Sequence, residues 1–145
     1  MSVKGGQVET YGFHTSRIKI LSSDWVADDD SLTYGVAVDE LNSTGSIQIG
    51  TGSLEVYAFK SIPYGYKATE CRINCSSDIQ VRVWHCDING TTGTEISNTG
   101  STQYTNAVLS LTSTASTDDN FIMVFVFTTA TTHLIKGGYI TIERI

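Results

Sequence analysis

Asp119–Ala130, DNFIMVFVFTTA, is the most apolar run in the chain, and its reading decides the fold. At twelve residues it is too short to cross a bilayer as a helix, which takes about 20 apolar residues. Phe, Val and Ile dominate it, and these residues fit a pleated strand better than a helix. In a strand, Phe121, Met123, Phe125 and Phe127 point to one side, and Ile122, Val124 and Val126 to the other. Both faces are apolar, so the run reads as a central strand covered on both sides. A small two-sheet sandwich covers one face of each sheet. The second face then calls for an arm of the same chain or for another subunit. The Ile122, Val124 and Val126 row is the expected subunit contact, with the Phe row as the alternative and with Tyr139 and Ile142 beside it.

The rest of the composition agrees with an all-β chain. Its 145 residues suit one domain with a real core. Charged residues are only 17 %, proline occurs once, at Pro63, and there are 13 glycines. A net charge of −6 argues against nucleic acid, because phosphate binding needs a basic surface. The N-terminus shows no apolar signal segment, and no stretch reads as membrane-spanning. Three cysteines, an odd count, suit a reducing cytosol better than a disulfide scaffold. The sequons at Asn42, Asn74 and Asn89 carry little weight without a secretion signal.

Outward from the central run, alternation marks the other strands. Residues 1–31 read as an extended N-terminal arm with short strands at Val8–Phe13 and Arg17–Leu21, or else as an edge pair of the same domain. Residues 32–145 read as the β-sandwich domain. Its strands are Leu32–Val38, Leu54–Lys60, Lys67–Cys75, Ile79–Ile88, Thr91–Ile96, Ala107–Leu111, Phe121–Thr128 and Tyr139–Ile145, with a short one at Ser46–Ile49. Asn89-Gly90 is the strongest hairpin signal, since a type I′ turn needs positive φ at both positions. Pro63 with Gly65 fits a type II turn only loosely. The count and spacing predict an antiparallel β-sandwich, jelly-roll-like, with an Ig-like sandwich as the alternative.

No motif reads as an active site. Cys71 and Cys75 lie about 13 Å apart along one strand, too far to share a metal or a disulfide. Cys86 falls on the opposite face by hairpin parity, so all three read as buried thiols and not as zinc ligands, His85 notwithstanding. Asp87, Asn89 and Glu95 miss the spacing of a calcium loop, and Asp28–Asp30 read as a solvated acidic run. His14, His85 and His133 sit in no nucleophile motif. Tyr57, Tyr64, Tyr66, Trp84 and Tyr104 could stack on a sugar ring, although sheet aromatics more often serve packing. No catalytic residue, metal or cofactor is assigned, and the chain reads as a non-enzyme.

Two stretches carry a resemblance. Glu55–Thr69, EVYAFKSIPYGYKAT, and the ending Gly137-Gly138-Tyr139-Ile140-Thr141-Ile142 resemble small structural proteins of tailed bacteriophages, especially those infecting cyanobacteria and marine bacteria. Some such proteins decorate, or cement, the capsid. The resemblance implies a β-sandwich or jelly-roll cement protein, a homo-oligomer of trimeric type. It would be assembled in the host cytoplasm and bound to the major capsid protein on the outer surface of the virion, with no membrane or nucleic-acid partner. The alternative is a tail-fibre or carbohydrate- and receptor-binding module using Trp84 and nearby tyrosines as sugar platforms.

Overall fold

A computed structural model describes residues 15–27, 36–38, 45–49, 54–90, 93–97, 102–112, 116–117 and 119–145. The described strands are β1 Thr15–Ile20, β2 Trp25–Ala27, β3 Val36–Val38, β4 Ile47–Ile49, β5 Leu54–Lys60 and β6 Tyr66–Cys75, then β7 Gln80–Asp87, β8 Gly93–Glu95, β9 Leu109–Ser110, β10 Asn120–Thr128 and β11 Leu134–Arg144. One sheet, here called A, runs β3-β4-β11-β6-β9, with β1 also against β11; the other, B, runs β2-β5-β10-β7-β8. Every pairing is antiparallel.

The order of pairing separates the two expected topologies. From β4 onward, β4 pairs β11, β5 neighbours β10, β6 pairs β9 and β7 pairs β8. Nested pairs of this kind, alternating between two sheets, define the jelly roll, and the Ig-like alternative falls. The chain folds so because alternation gives each strand one apolar side. Val56 and Ala58 of β5, Val81 and Val83 of β7 and Ile122, Val124 and Val126 of β10 face Ile73 of β6 and Ile135, Ile140 and Ile142 of β11 across the sandwich; all are buried. Each such side chain contributes about 1.5–3 kcal/mol by leaving water. Thr128 is the polar exception at the end of β10, and its hydroxyl donates to the Leu54 carbonyl at 2.8 Å.

β10 is the central strand of sheet B, as its two apolar faces predict. The covering of those faces differs from expectation. Ile122, Val124 and Val126 are at most 1 % exposed inside this one chain, and Ile142 is fully buried with them. These four make the core and have no surface left for a second subunit. Tyr139 is half-buried on the outside of sheet A, under the Arg17 guanidinium. The Phe row is the face left outward.

The described part of the expected arm is woven into both sheets. β1 pairs with β11 over Thr15–Ile20, and β2 pairs with β5. A short 3₁₀ turn, Ser22–Asp24, carries the chain between them, and Asp24 is clamped to Lys60 of β5 at 2.6 Å. Residues 15–27 are thus strands of the sandwich itself, one in each sheet, while Val8–Phe13 and Asp28–Asp30 lie outside the described residues. So does most of Leu32–Val38, of which Val36–Val38 is strand.

Two turns differ in detail. Asn89 and Gly90 do not take positive φ. Pairing closes at Cys86↔Gly93, leaving a six-residue connection that does not demand a type I′ turn. At Pro63 the turn is shifted by one residue. Tyr66 N–H donates to the Pro63 carbonyl at 3.1 Å and Gly65 has φ 82°, so Pro63 opens a type II turn whose third residue is Gly65. Gly137 and Gly138, expected before the last strand, sit inside it. Gly137, at φ 100°, forms a bulge between Ile135 and Tyr139, and a Cβ there would meet the Ile20 carbonyl of β1.

Candidate functional site

The outer face of sheet B is a grid set by strand register. Directly opposed residues in antiparallel strands share a face. One cross-strand row is therefore Phe59–Met123–Trp84–Glu95, the next Val26–Tyr57–Phe125–Arg82, and the next Glu55–Phe127–Gln80. Phe121 and Cys86 begin a further row above them. The aromatics touch one another. Tyr57 and Phe125 have centroids 5.3 Å apart, Phe59 and Phe121 6.1 Å, and Phe125 and Phe127 6.5 Å. Phe59 and Val26 are each half exposed. Mutual contact hides part of each ring, and water meets the rest.

Polar groups frame the rings and are held in place. Tyr57 donates its hydroxyl to Glu55 Oε2 at 3.0 Å. Across the face, Arg82 Nε lies 3.4 Å from Glu95 Oε1. The same carboxylate oxygen accepts from Ser97 Oγ at 2.9 Å, and Ser97 Oγ in turn accepts the Val83 N–H. This chain anchors Glu95 to the backbone of β7, and Glu95 in turn orients the Arg82 guanidinium beside Trp84. Between them is an open hollow of about 250 Å³ lined by Glu55, Tyr57, Arg82, Trp84, Met123 and Phe125. Further hollows lie at either end of β10, one beside Phe59 and Phe121, the other beside Gln80, Tyr104 and Phe127. Stacking surfaces interleaved with fixed hydrogen-bonding groups suit a flat, hydroxylated ligand.

Of the aromatics singled out in the sequence, Tyr57 and Trp84 lie on this face and Tyr104 borders it. Tyr64 projects from the Pro63 turn, and Tyr66 starts β6 in the other sheet. Glu55, Phe59, Arg82, Glu95, Met123, Phe125 and Phe127 were not assigned a binding role by pattern, although the Phe row was marked as the alternative contact. Strand parity puts Glu55 and Phe59 on one side with Tyr57, and Arg82 on one side with Trp84, but it does not say which side of the central strand faces out or which strands are neighbours.

The remaining candidates disperse. Cys71 and Cys75 point into the core from sheet A, and burial pushes the Cys71 thiol up to about 12. Cys86 lies on the opposite, outer side of sheet B, its thiol raised by burial and then by Asp87. Among the described residues no cluster of His, Cys, Asp and Glu is placed to hold a metal. His133 is buried, and its Nδ1 accepts the Thr129 N–H at 3.4 Å. His14 lies outside the described residues. No helix among the described residues is long and apolar enough to cross a membrane.

No protein-family model and no curated protein matches the chain. Solved structures similar to it include the CBM22-1–GH10 modules of the endo-1,4-β-D-xylanase 10B of Clostridium thermocellum, complexed with xylohexaose, at 12 % identity and TM-score 0.45. That match covers 92 % of this chain and 28 % of the xylanase chain. Another is TmCBM61 in complex with β-1,4-galactotriose, at 15 % identity and TM-score 0.45, covering 83 % of this chain and 89 % of that one. These are likenesses of fold alone.

Proposed function

We propose that this chain is a non-catalytic jelly-roll binding module that recognises a neutral carbohydrate on the outer face of sheet B. The observation that carries the reading is the hollow in which Trp84 and Tyr57 flank an immobilised Arg82–Glu95 pair and Glu55. Rings accept the apolar face of a pyranose, and fixed charged groups take its hydroxyls. On the phage resemblance of the sequence, such a module would serve as a receptor-binding part of a virion. The test is a glycan array followed by calorimetry on the best neutral oligosaccharide. Trp84→Ala should weaken binding at least about tenfold, as expected for loss of a stacking anchor, with the melting curve retained. An array with no neutral ligand, or an unaffected Trp84→Ala variant, defeats the reading.

A second reading keeps the capsid decoration role with the same face turned to protein. It is favoured by the Phe59, Phe121, Met123, Phe125 and Phe127 strip, whose side chains offer no hydrogen bonds and would suit the apolar core of a protein interface. Gold-labelled antibody on intact particles separates the two. Label over heads supports decoration, and label on tails or fibres supports receptor binding.

A further inference from the structure

The strands of sheet A are strongly cationic, whereas those of sheet B are near balance. The strands of sheet A hold six cations, Arg17, Lys19, Lys67, Arg72, Lys136 and Arg144, against two carboxylates, Glu70 and Glu143. The chain as a whole is −6. Register gathers part of this charge on the outer face. Lys19, Tyr139 and Arg72 form one cross-strand row, and Arg17, Thr141 and Glu70 the next. With strands about 4.8 Å apart, Lys19 and Arg72 stand roughly 10 Å from each other on either side of Tyr139. The Arg17 guanidinium lies over the Tyr139 ring, Cζ 4.1 Å from the centroid. Arg72 Nε donates to Asn74 Oδ1 at 3.0 Å. Both forks are thus oriented while terminal N–H groups stay available. Among the described residues no carboxylate lies within ion-pair distance of Arg17, Lys19 or Arg72. Between them Thr141 Oγ1 is buried and has no hydrogen-bond partner among the described residues.

We infer that this face is an oxyanion-binding surface, separate from the aromatic one, and that its partner is a linear acidic polysaccharide bearing carboxylates or sulfates. Oriented guanidinium groups and the exposed Lys19 ammonium are the donors such groups need. On the outer face the cations follow β11 for roughly 22 Å, from Lys136 through the Tyr139 and Thr141 rows to Lys67 opposite Glu143, in steps of about 7–10 Å, which suits a charged repeat and not a single compact anion. Nucleic acid is disfavoured because single strands bind through aromatic platforms. The one ring in these rows, Tyr139, is covered by Arg17.

The experiment is calorimetry of the full chain with size-fractionated alginate oligomers. Dextran and a single-stranded oligothymidylate of equal charge are the comparators. Alginate should bind, dextran should not, and affinity should fall about tenfold or more between about 50 and 500 mM salt. The double variant Arg17→Ser, Arg72→Ser should lose alginate binding while melting as wild type; Lys19→Ser, fully on the surface, should weaken it if the double variant melts early. Trp84→Ala should leave alginate binding intact, so this surface stands or falls apart from the neutral-glycan site. Absence of alginate binding at low salt, equal or tighter oligothymidylate binding, or indifference to both sets of substitutions would overturn the inference.

Discussion

Val124→Ala tests the placement of the two faces of β10. Val124 sits opposite Val83 on one side and Ala58 on the other, and all three are fully buried. The substitution deletes two carbon groups, about 1.6 kcal/mol of transfer free energy at about 0.8 per group. A residual cavity of roughly 40 Å³ adds about 1 kcal/mol. The total is about 2.5 kcal/mol. For 145 residues the unfolding entropy is about 0.3 kcal/mol/K, so the melting temperature should drop by about 8 °C. Phe125→Ala removes a larger side chain from the outer face, but that ring is half-buried and its loss opens to solvent, so about 1–1.5 kcal/mol is expected. The smaller residue should cost more. Val124→Asp goes further, leaving a carboxylate without a partner in the core, a penalty comparable with total stability. It should abolish the cooperative transition. The assay is far-UV circular dichroism melting with size-exclusion chromatography. A folded Val124→Asp protein of altered oligomeric state would refute the placement and return the Ile/Val row to a subunit contact.

Gly137→Ala should cost about 2–3 kcal/mol in urea titration, since φ 100° penalises a Cβ that would also meet the Ile20 carbonyl. Burial alone would raise the Asp24 carboxyl, but the Lys60 ammonium and the Leu21 N–H outweigh it and hold the pKa below 3.8. A depressed folded pKa stabilises the fold above the unfolded value and is lost as pH falls through the folded one. Wild type should therefore lose more stability below about pH 4 than Asp24→Asn does, read by urea midpoints at pH 7 and pH 3. In a native thiol titration with a disulfide reagent, Cys86 should react first and Cys71, buried with its pKa at about 12, only on unfolding; equal rates would contradict the packing of sheet A.

Much of the fold was legible because alternation is local. Leu54–Lys60 matches its strand at both ends, and the inward parity of Val81, Val83, Cys71 and Ile73 needs only the period of two. The jelly roll over the Ig-like sandwich was not legible, because β4 meeting β11 is a contact across some ninety residues that no local pattern encodes. The inward face of β10 was a matter of company. Both its rows are apolar, and only the neighbours β5 and β7, with Tyr57 and Trp84 facing out, fix the Phe row as surface. The aromatic site is likewise a product of register: Glu55, Arg82 and Glu95 are isolated charges in the sequence and a frame once three strands align.

The charge argument shows where composition misleads. A net charge of −6 argues against nucleic acid, yet a surface responds to charges within about one Debye length, roughly 8 Å at physiological salt. On sheet A, Lys19 stands about 7 Å from Arg17 along β1 and about 10 Å from Arg72 across Tyr139, distances comparable with that length, and the strands of this sheet hold only two carboxylates. An acidic remainder then acts as a filter and not as a veto. It repels a long, dense polyanion that overruns the face, while a polymer with sparse charge lying along β11 meets only the basic strip. That difference is what the alginate and oligothymidylate arms measure. A neutral-glycan site on one sheet and an acidic-glycan site on the other would give a small sandwich two independent contacts, whose joint affinity on a mixed polysaccharide surface exceeds either alone when both can engage together.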